Sequence, residues 1–185
     1  MTPIPLPRRA IRPALLALSL AASPVTAENG PDAAAARFWP DWIAFWNGEL
    51  DRADALVADA IALHTVLLDG NDPAAIDGPR AFAGWIAALR QPFPDLVFET
   101  VAGPIVGPAA GFAPGAGEAA GDLLVAGHWR ASGTYAGGLP GAAAAPGTRA
   151  SFTGTDLVRL RDGQAAEYWL VSDTLSLLGQ LAVGN

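Results

Sequence analysis

Cysteine and lysine are absent from this 185-residue chain, and histidine and tyrosine occur only twice each. Without cysteine there is no disulfide, no thiolate nucleophile and no residue for processed lipid anchoring. His64 and His128 lie far apart in the chain, and neither His-x-His nor Glu-x-x-His occurs, so the sequence carries no metal signature. The Gly-x-Ser-x-Gly motif of a serine nucleophile is also missing. The glycine-rich stretches lack the strand–helix setting and the lysine of a phosphate cradle. Haem, flavin and nucleotides therefore find no support, and no cofactor or metal is expected.

The first residues are a different matter. Arg8, Arg9 and Arg12 precede an apolar run from Ala14 to Ala22, and Val25-Thr26-Ala27 supplies small residues for a signal peptidase. This predicts a signal peptide over residues 1–27, cut after Ala27, and a periplasmic or secreted protein. The run falls short of the roughly 20 residues of a membrane-spanning helix, so no membrane association is expected after cleavage. Arg8-Arg9 is a weak match to twin-arginine export.

Residues 28–185 have a length suited to one domain with a real core. They hold eight arginines against eighteen acidic residues, a net charge of −10. Such a surface repels phosphate backbones and anionic lipid, which argues against nucleic-acid and membrane partners and leaves a small-molecule ligand. Six tryptophans with abundant Leu, Val and Ile argue for a packed fold despite the Gly, Pro and Ala content.

Phe38, Trp42, Phe45 and Trp46 recur at helical spacing over Asp32–Asn47, an aromatic stripe that suits a core face. Pro40 places the regular helix from about Trp39 onward, with the alanine run as a looser extension. A second helix is expected at Leu50–Ala58, a short strand at Ile61–Leu68 and a third helix from Gly78-Pro79 through Phe82, Trp85, Ile86 and Leu89. Strands follow at Leu96–Val106, Asp122–Tyr135, Ala150–Arg161 and Gln164–Val171, the last two joined by the turn dipeptide Asp162-Gly163. The Gly/Pro/Ala segments 107–121 and 137–147 read as loops, the first as a mobile hairpin extension, and Thr174–Leu181 as a closing helix. This order implies an α+β domain, a curved antiparallel sheet wrapped over three N-terminal helices, leaving a cone whose open end admits a small molecule.

Gly78-Pro79-Arg80-Ala81-Phe82, Phe93-Pro94-Asp95-Leu96, Gly133-Thr134-Tyr135-Ala136-Gly137, Phe152-x-Gly154-x-Asp156-Leu157-x-Arg159, Asp162-Gly163, Glu167-x-Trp169-x-x-x-Asp173 and Leu177-Leu178-x-Gln180-Leu181 occur in the order seen in the SnoaL-like family. The chain thus resembles the ester and polyketide cyclases of the nuclear-transport-factor-2-like group from about Phe38 to Leu181. The resemblance implies a cone-shaped α+β fold, a homodimer and, for its cyclases, a cofactor-free intramolecular aldol condensation. In those cyclases the acid/base aspartate follows the position of Trp169, where this chain has Leu170. The usual Gly-Thr-His reads Gly133-Thr134-Tyr135.

The remaining catalytic candidates are Asp156, His64 and Tyr135. Asp156 sits mid-strand among apolar residues and is either an acid/base with a raised pKa or the partner of Arg130 or Arg159. His64 is either a proton shuttle or a satisfied rim histidine, while His128 is expected to face solvent. Trp85, Trp129, Tyr168, Trp169 and Leu170 are expected to contact a ligand. Glu167 is expected on the Trp169 face of its strand, and Asp173 as the cap of the last helix. Two functions follow: a cofactor-free acid/base enzyme of cyclase, isomerase or hydrolase type, or a non-catalytic carrier or dimerisation module.

Overall fold

A computed structural model describes residues 31–67, 70–112 and 121–184. The expected leader lies outside these residues, as do positions 113–120 of the long glycine-rich segment. Helix α1 (Pro31–Trp46) runs continuously through Pro40, whose ring is exposed. Trp42 and Phe45 are fully buried on its inner face, and Gly48, at φ 105°, turns the chain away. The regular helix therefore begins well before Trp39, against expectation: proline forfeits one backbone bond, and the packing of its aromatic neighbours outweighs that loss.

The expected second helix is mostly something else. A 3₁₀ turn (Leu50–Arg52) and four residues of α2 (Ala53–Leu56) lead directly into β1 (Val57–His64). Val57 is fully buried and pairs with Ala165, so sheet pairing claims residues that local pattern assigned to a helix. After α3 (Gly78–Arg90) come β2 (Val97–Pro108), β3 (Leu123–Thr134), β4 (Arg149–Arg161), β5 (Gln164–Ser172) and α4 (Thr174–Gln180). The sheet order is β1-β5-β4-β3-β2. Strands β2 to β5 are antiparallel as expected, but β1 joins the edge parallel to β5. Asp162 and Gly163 take φ values of 52° and 83°, the left-handed pair that a two-residue hairpin needs.

One face of this curved sheet packs on α1 and α3. Along β5, Tyr168, Leu170 and Ser172 point to that inner side, and Glu167, Trp169 and Val171 to the outer one. Across the ladder Tyr168 pairs with Val158, Leu170 with Asp156 and Ser172 with Gly154. On β3, Trp129 pairs with Gly154 and Gly127 with Asp156. The two glycines make room for indoles. A Cβ on Gly154 would lie 2.3 Å from the Trp129 ring, and one on Gly127 would lie 2.2 Å from the ring of Trp39. Asp173 caps α4 by accepting from the Ser176 amide at 3.3 Å, as expected. Asp95 accepts from the backbone N–H (2.6 Å) and hydroxyl (2.8 Å) of Thr134, clasping the start of β2 to the end of β3.

Gly154→Ala tests this packing. The added methyl must expel the Trp129 ring from its seat, and overpacking of this kind costs about 2 kcal/mol. Urea unfolding is expected to show that loss, whereas an unchanged midpoint would mean that the ring moves freely.

Candidate functional site

The most buried polar group of the inner face is Asp156, 1% exposed. Its Oδ2 accepts from Trp42 Nε1 at 2.8 Å, and its Oδ1 from Trp129 Nε1 at 2.7 Å and the Tyr168 hydroxyl at 2.8 Å. Helix α1 and strands β3, β4 and β5 thus each contribute one residue to a single knot. The arginine pairing considered from sequence does not occur; two indoles and a phenol occupy the places an arginine would need. Burial raises the Asp156 pKa to about 6, against the three donated hydrogen bonds, which favour the carboxylate. Burial and the neighbouring Asp156 charge push the Tyr168 hydroxyl well above its ordinary value.

Beside this knot lies a cavity of about 270 Å³. Its wall is drawn from α1 and α3 (Trp46, Trp85, Leu89), the sheet (Phe98, Trp129, Phe152, Leu170) and the C-terminal end (Leu177), with hydroxyls from Thr65, Ser172 and Thr174. Among the described residues no ionisable side chain lines it. Asp156, Trp42 and Tyr168 stand behind the wall, and Trp129 belongs to both, one indole serving as lining on the cavity side and as donor to the carboxylate. Leu139 from the 137–147 loop also lines the cavity, so that segment is a wall element.

Of the five expected ligand contacts, Trp85, Trp129 and Leu170 line the cavity, while Tyr168 and Trp169 do not. Trp169 faces outward, where the His64 ring stacks on it at 4.5 Å and 8° and Phe112 meets it edge-on. Strand alternation sends position 169 away from the cone, and Tyr168 is spent on Asp156.

The three catalytic candidates do not converge. His64 Nε2 donates to Glu167 Oε2 at 3.0 Å on the outer face, and the buried Glu167 is also ion-paired with Arg159. Arg159 approaches Asp122 at 3.6 Å, and Arg161 binds the same carboxylate at 2.9 Å. Tyr135 sits past the end of β3, where its hydroxyl accepts from the Leu139 amide at 3.1 Å and its ring packs on Phe93. His128 lies half-buried on the outer face, its Nδ1 3.1 Å from the Thr155 hydroxyl. Sequence reasoning missed Trp42 and Trp129 as partners of Asp156. A usable signal was present, since a buried indole N–H normally finds an acceptor and Asp156 is the carboxylate set deepest among apolar strand residues.

The Asp156 knot has a pH signature. With a folded-state pKa raised from 3.8 to about 6, the protonated group favours folding. That contribution is fully present below about pH 4 and is lost as pH rises through about 6; two pK units bound it at about 3 kcal/mol. Asp156→Asn removes the titration. It also sets an amide N–H₂ against at least one of the three donors, so the variant is expected to be less stable throughout. The stability gap between wild type and variant should be larger at pH 4 than at pH 7 in urea unfolding; an equal gap would refute the titration of Asp156.

Against known proteins, the fold finds clear company. TsrD from Streptomyces laurentii superposes with a TM-score of 0.60 at 18% identity, over 82% of this chain and 96% of that one. IdmH from Streptomyces antibioticus, a candidate polyketide cyclase, gives 0.59 at 24% identity over 83% and 99%. AclR from Streptomyces galilaeus, a candidate hydroxylase, gives 0.57 at 21% identity over 81% and 82%. Identities this low establish shared architecture alone. No curated protein matches significantly. The family model described as the SnoaL-like domain matches residues 35–168, most of the chain. This protein therefore belongs to the SnoaL-like domain family, with the nuclear-transport-factor-2-like fold.

Proposed function

We propose that this protein binds a small, neutral, largely apolar molecule in the cone between α3 and the inner face of the sheet. One observation carries the reading: among the described residues the cavity wall is aromatic and aliphatic, with hydroxyls as its principal polar groups and no acid, base or cation. Apolar clefts with a few polar groups are the usual form of small-molecule sites. Leu170 stands in that wall at the position where the resemblance to cyclases places a working carboxylate, and a leucine cannot move a proton.

A second reading rests on the register. Asp156 is the direct cross-strand partner of Leu170 and is bonded to Trp129, a residue of the wall. In that reading the acid/base carboxylate has moved one strand over and works when the Trp129 indole withdraws. A β-keto ester probe separates the two. Acid/base action at Asp156 requires that the protein accelerate hydrogen–deuterium exchange at the probe's carbon acid and that Asp156→Asn abolish this. Simple binding gives no acceleration.

Leu170→Trp fills the cavity from the sheet side. It is expected to abolish binding of the neutral fluorophore Nile red while leaving the circular dichroism spectrum unchanged; full retention of Nile red would remove the cavity from consideration. Export is part of the same proposal, supported by the basic, apolar and small-residue order of residues 1–27. N-terminal sequencing of protein recovered from the periplasm is expected to begin at Glu28, and a start at Met1 would refute cleavage. Native mass spectrometry of that material would show any ligand carried through purification.

A further inference from the structure

The donors of the cavity wall differ in whether they are occupied. Trp129 Nε1 is spent on Asp156, and the Thr65 hydroxyl donates to the Leu170 carbonyl at 3.3 Å. Ser172 and Thr174 share a hydrogen bond of 2.9 Å between their hydroxyls. Trp85 is half-buried, so its N–H can meet water. Trp46 differs from it: its side chain lines the cavity, is 4% exposed, and its N–H is buried with no acceptor among the described residues. An unmade hydrogen bond at a buried donor is expensive, and native structures keep few of them. Among the described residues five aromatic rings surround Trp46: those of Trp42, Phe82, Trp85 and Phe98 offer no oxygen, and the hydroxyl of the fifth, Tyr168, is engaged as a donor to Asp156.

We propose that Trp46 is the polarity-reading residue of the cavity and that the ligand is a neutral molecule with an apolar ring body and one carbonyl oxygen, which accepts from the Trp46 indole N–H. Neutrality follows from the wall: among the described residues no arginine or histidine lines it to pair an acid, and no carboxylate lines it to pair a base. An aromatic or alicyclic body fits the indole and phenyl rings of Trp46, Trp85, Phe98, Trp129 and Phe152. The indole nitrogen is covered by its neighbours, so pairing with the carbonyl requires a small turn of the ring toward the cavity. A hydrocarbon of equal shape gains the same apolar contacts but leaves the donor unpaired, and a site built this way discriminates against it.

This inference rests on the proposed ligand cavity, and the test separates the two. The probes are 2-acetylnaphthalene and 2-isopropenylnaphthalene, which differ by a carbonyl oxygen against a methylene, titrated against the full protein by displacement of Nile red. The ketone is expected to bind about tenfold more tightly, the scale of one net hydrogen bond. In Trp46→Phe, which keeps a ring and removes the N–H, the ratio of ketone to hydrocarbon affinity is expected to fall to about one, whatever loss of ring contact the two probes share. Indole ¹⁵N–¹H spectra of the unaltered protein give a second readout that does not depend on the variant's folding. The ketone should move the Trp46 signal downfield, and the hydrocarbon should not. Equal affinities with a stationary Trp46 signal would overturn the role of Trp46 and leave the cavity intact as a binding site. Failure of both probes to bind would overturn the cavity reading itself.

Discussion

Everything on the inner face of this protein depends on one carboxylate receiving three hydrogen bonds. Trp42 from α1, Trp129 from β3 and Tyr168 from β5 all donate to Asp156 on β4. Helix and sheet are joined there by directional bonds as well as by apolar contact. Because the group is fully buried, each of these bonds acts in a medium of low polarity, where satisfied polar networks fix a unique arrangement and partly satisfied ones are costly. The same knot consumes the polar ends of three large aromatic residues, and the face that Trp129 turns toward the cavity is plain hydrocarbon. The neutrality of the cavity wall and the burial of the carboxylate are two sides of one arrangement.

The outer face follows the opposite logic. Arg161, Asp122, Arg159 and Glu167 form a chain of alternating charge in which Asp122, Arg159 and Glu167 are buried, and His64 bonds to its Glu167 end. Burying any one of these charges alone would be prohibitive, and the alternation makes it tolerable. It also explains why His64, a candidate for proton transfer from sequence, is held outside the cone. Glu167 alternates to the outer side of β5, and β1 lies parallel to β5 with His64 beside Trp169.

How far the sequence spoke varied by residue. The hairpin at Asp162-Gly163, the helical cap at Asp173 and the inward aromatic stripe of α1 were legible because each is decided within a few residues. The strand at Val57 was not, since its burial comes from a partner more than a hundred positions away. Parity along β5 placed Glu167 and Trp169 together correctly, but only pairing with β4 and β1 showed which side was the cone. Asp156 was recognised as buried and consequential, yet its partners were sought among arginines. Of the two arginines considered, Arg159 is paired with Glu167 on the far face and Arg130 is exposed; of the true partners, Trp42 had been read as core and Trp129 and Tyr168 as ligand contacts. Leu170 was legible through resemblance alone; its place in the cavity wall required the register.

Gly127 and Gly154 let Trp39 and Trp129 lie flat against the backbone, and this seating sets the thickness of the sheet lining. A wall one ring thick leaves the hollow deeper than side chains of ordinary size would. The capacity of the site is therefore governed in part by a position that touches no ligand. Any bulkier residue at 154 lifts the indole into the void and shrinks the space available there, so changes of guest size in this lineage are expected to track the backbone-side glycine as closely as the visible lining.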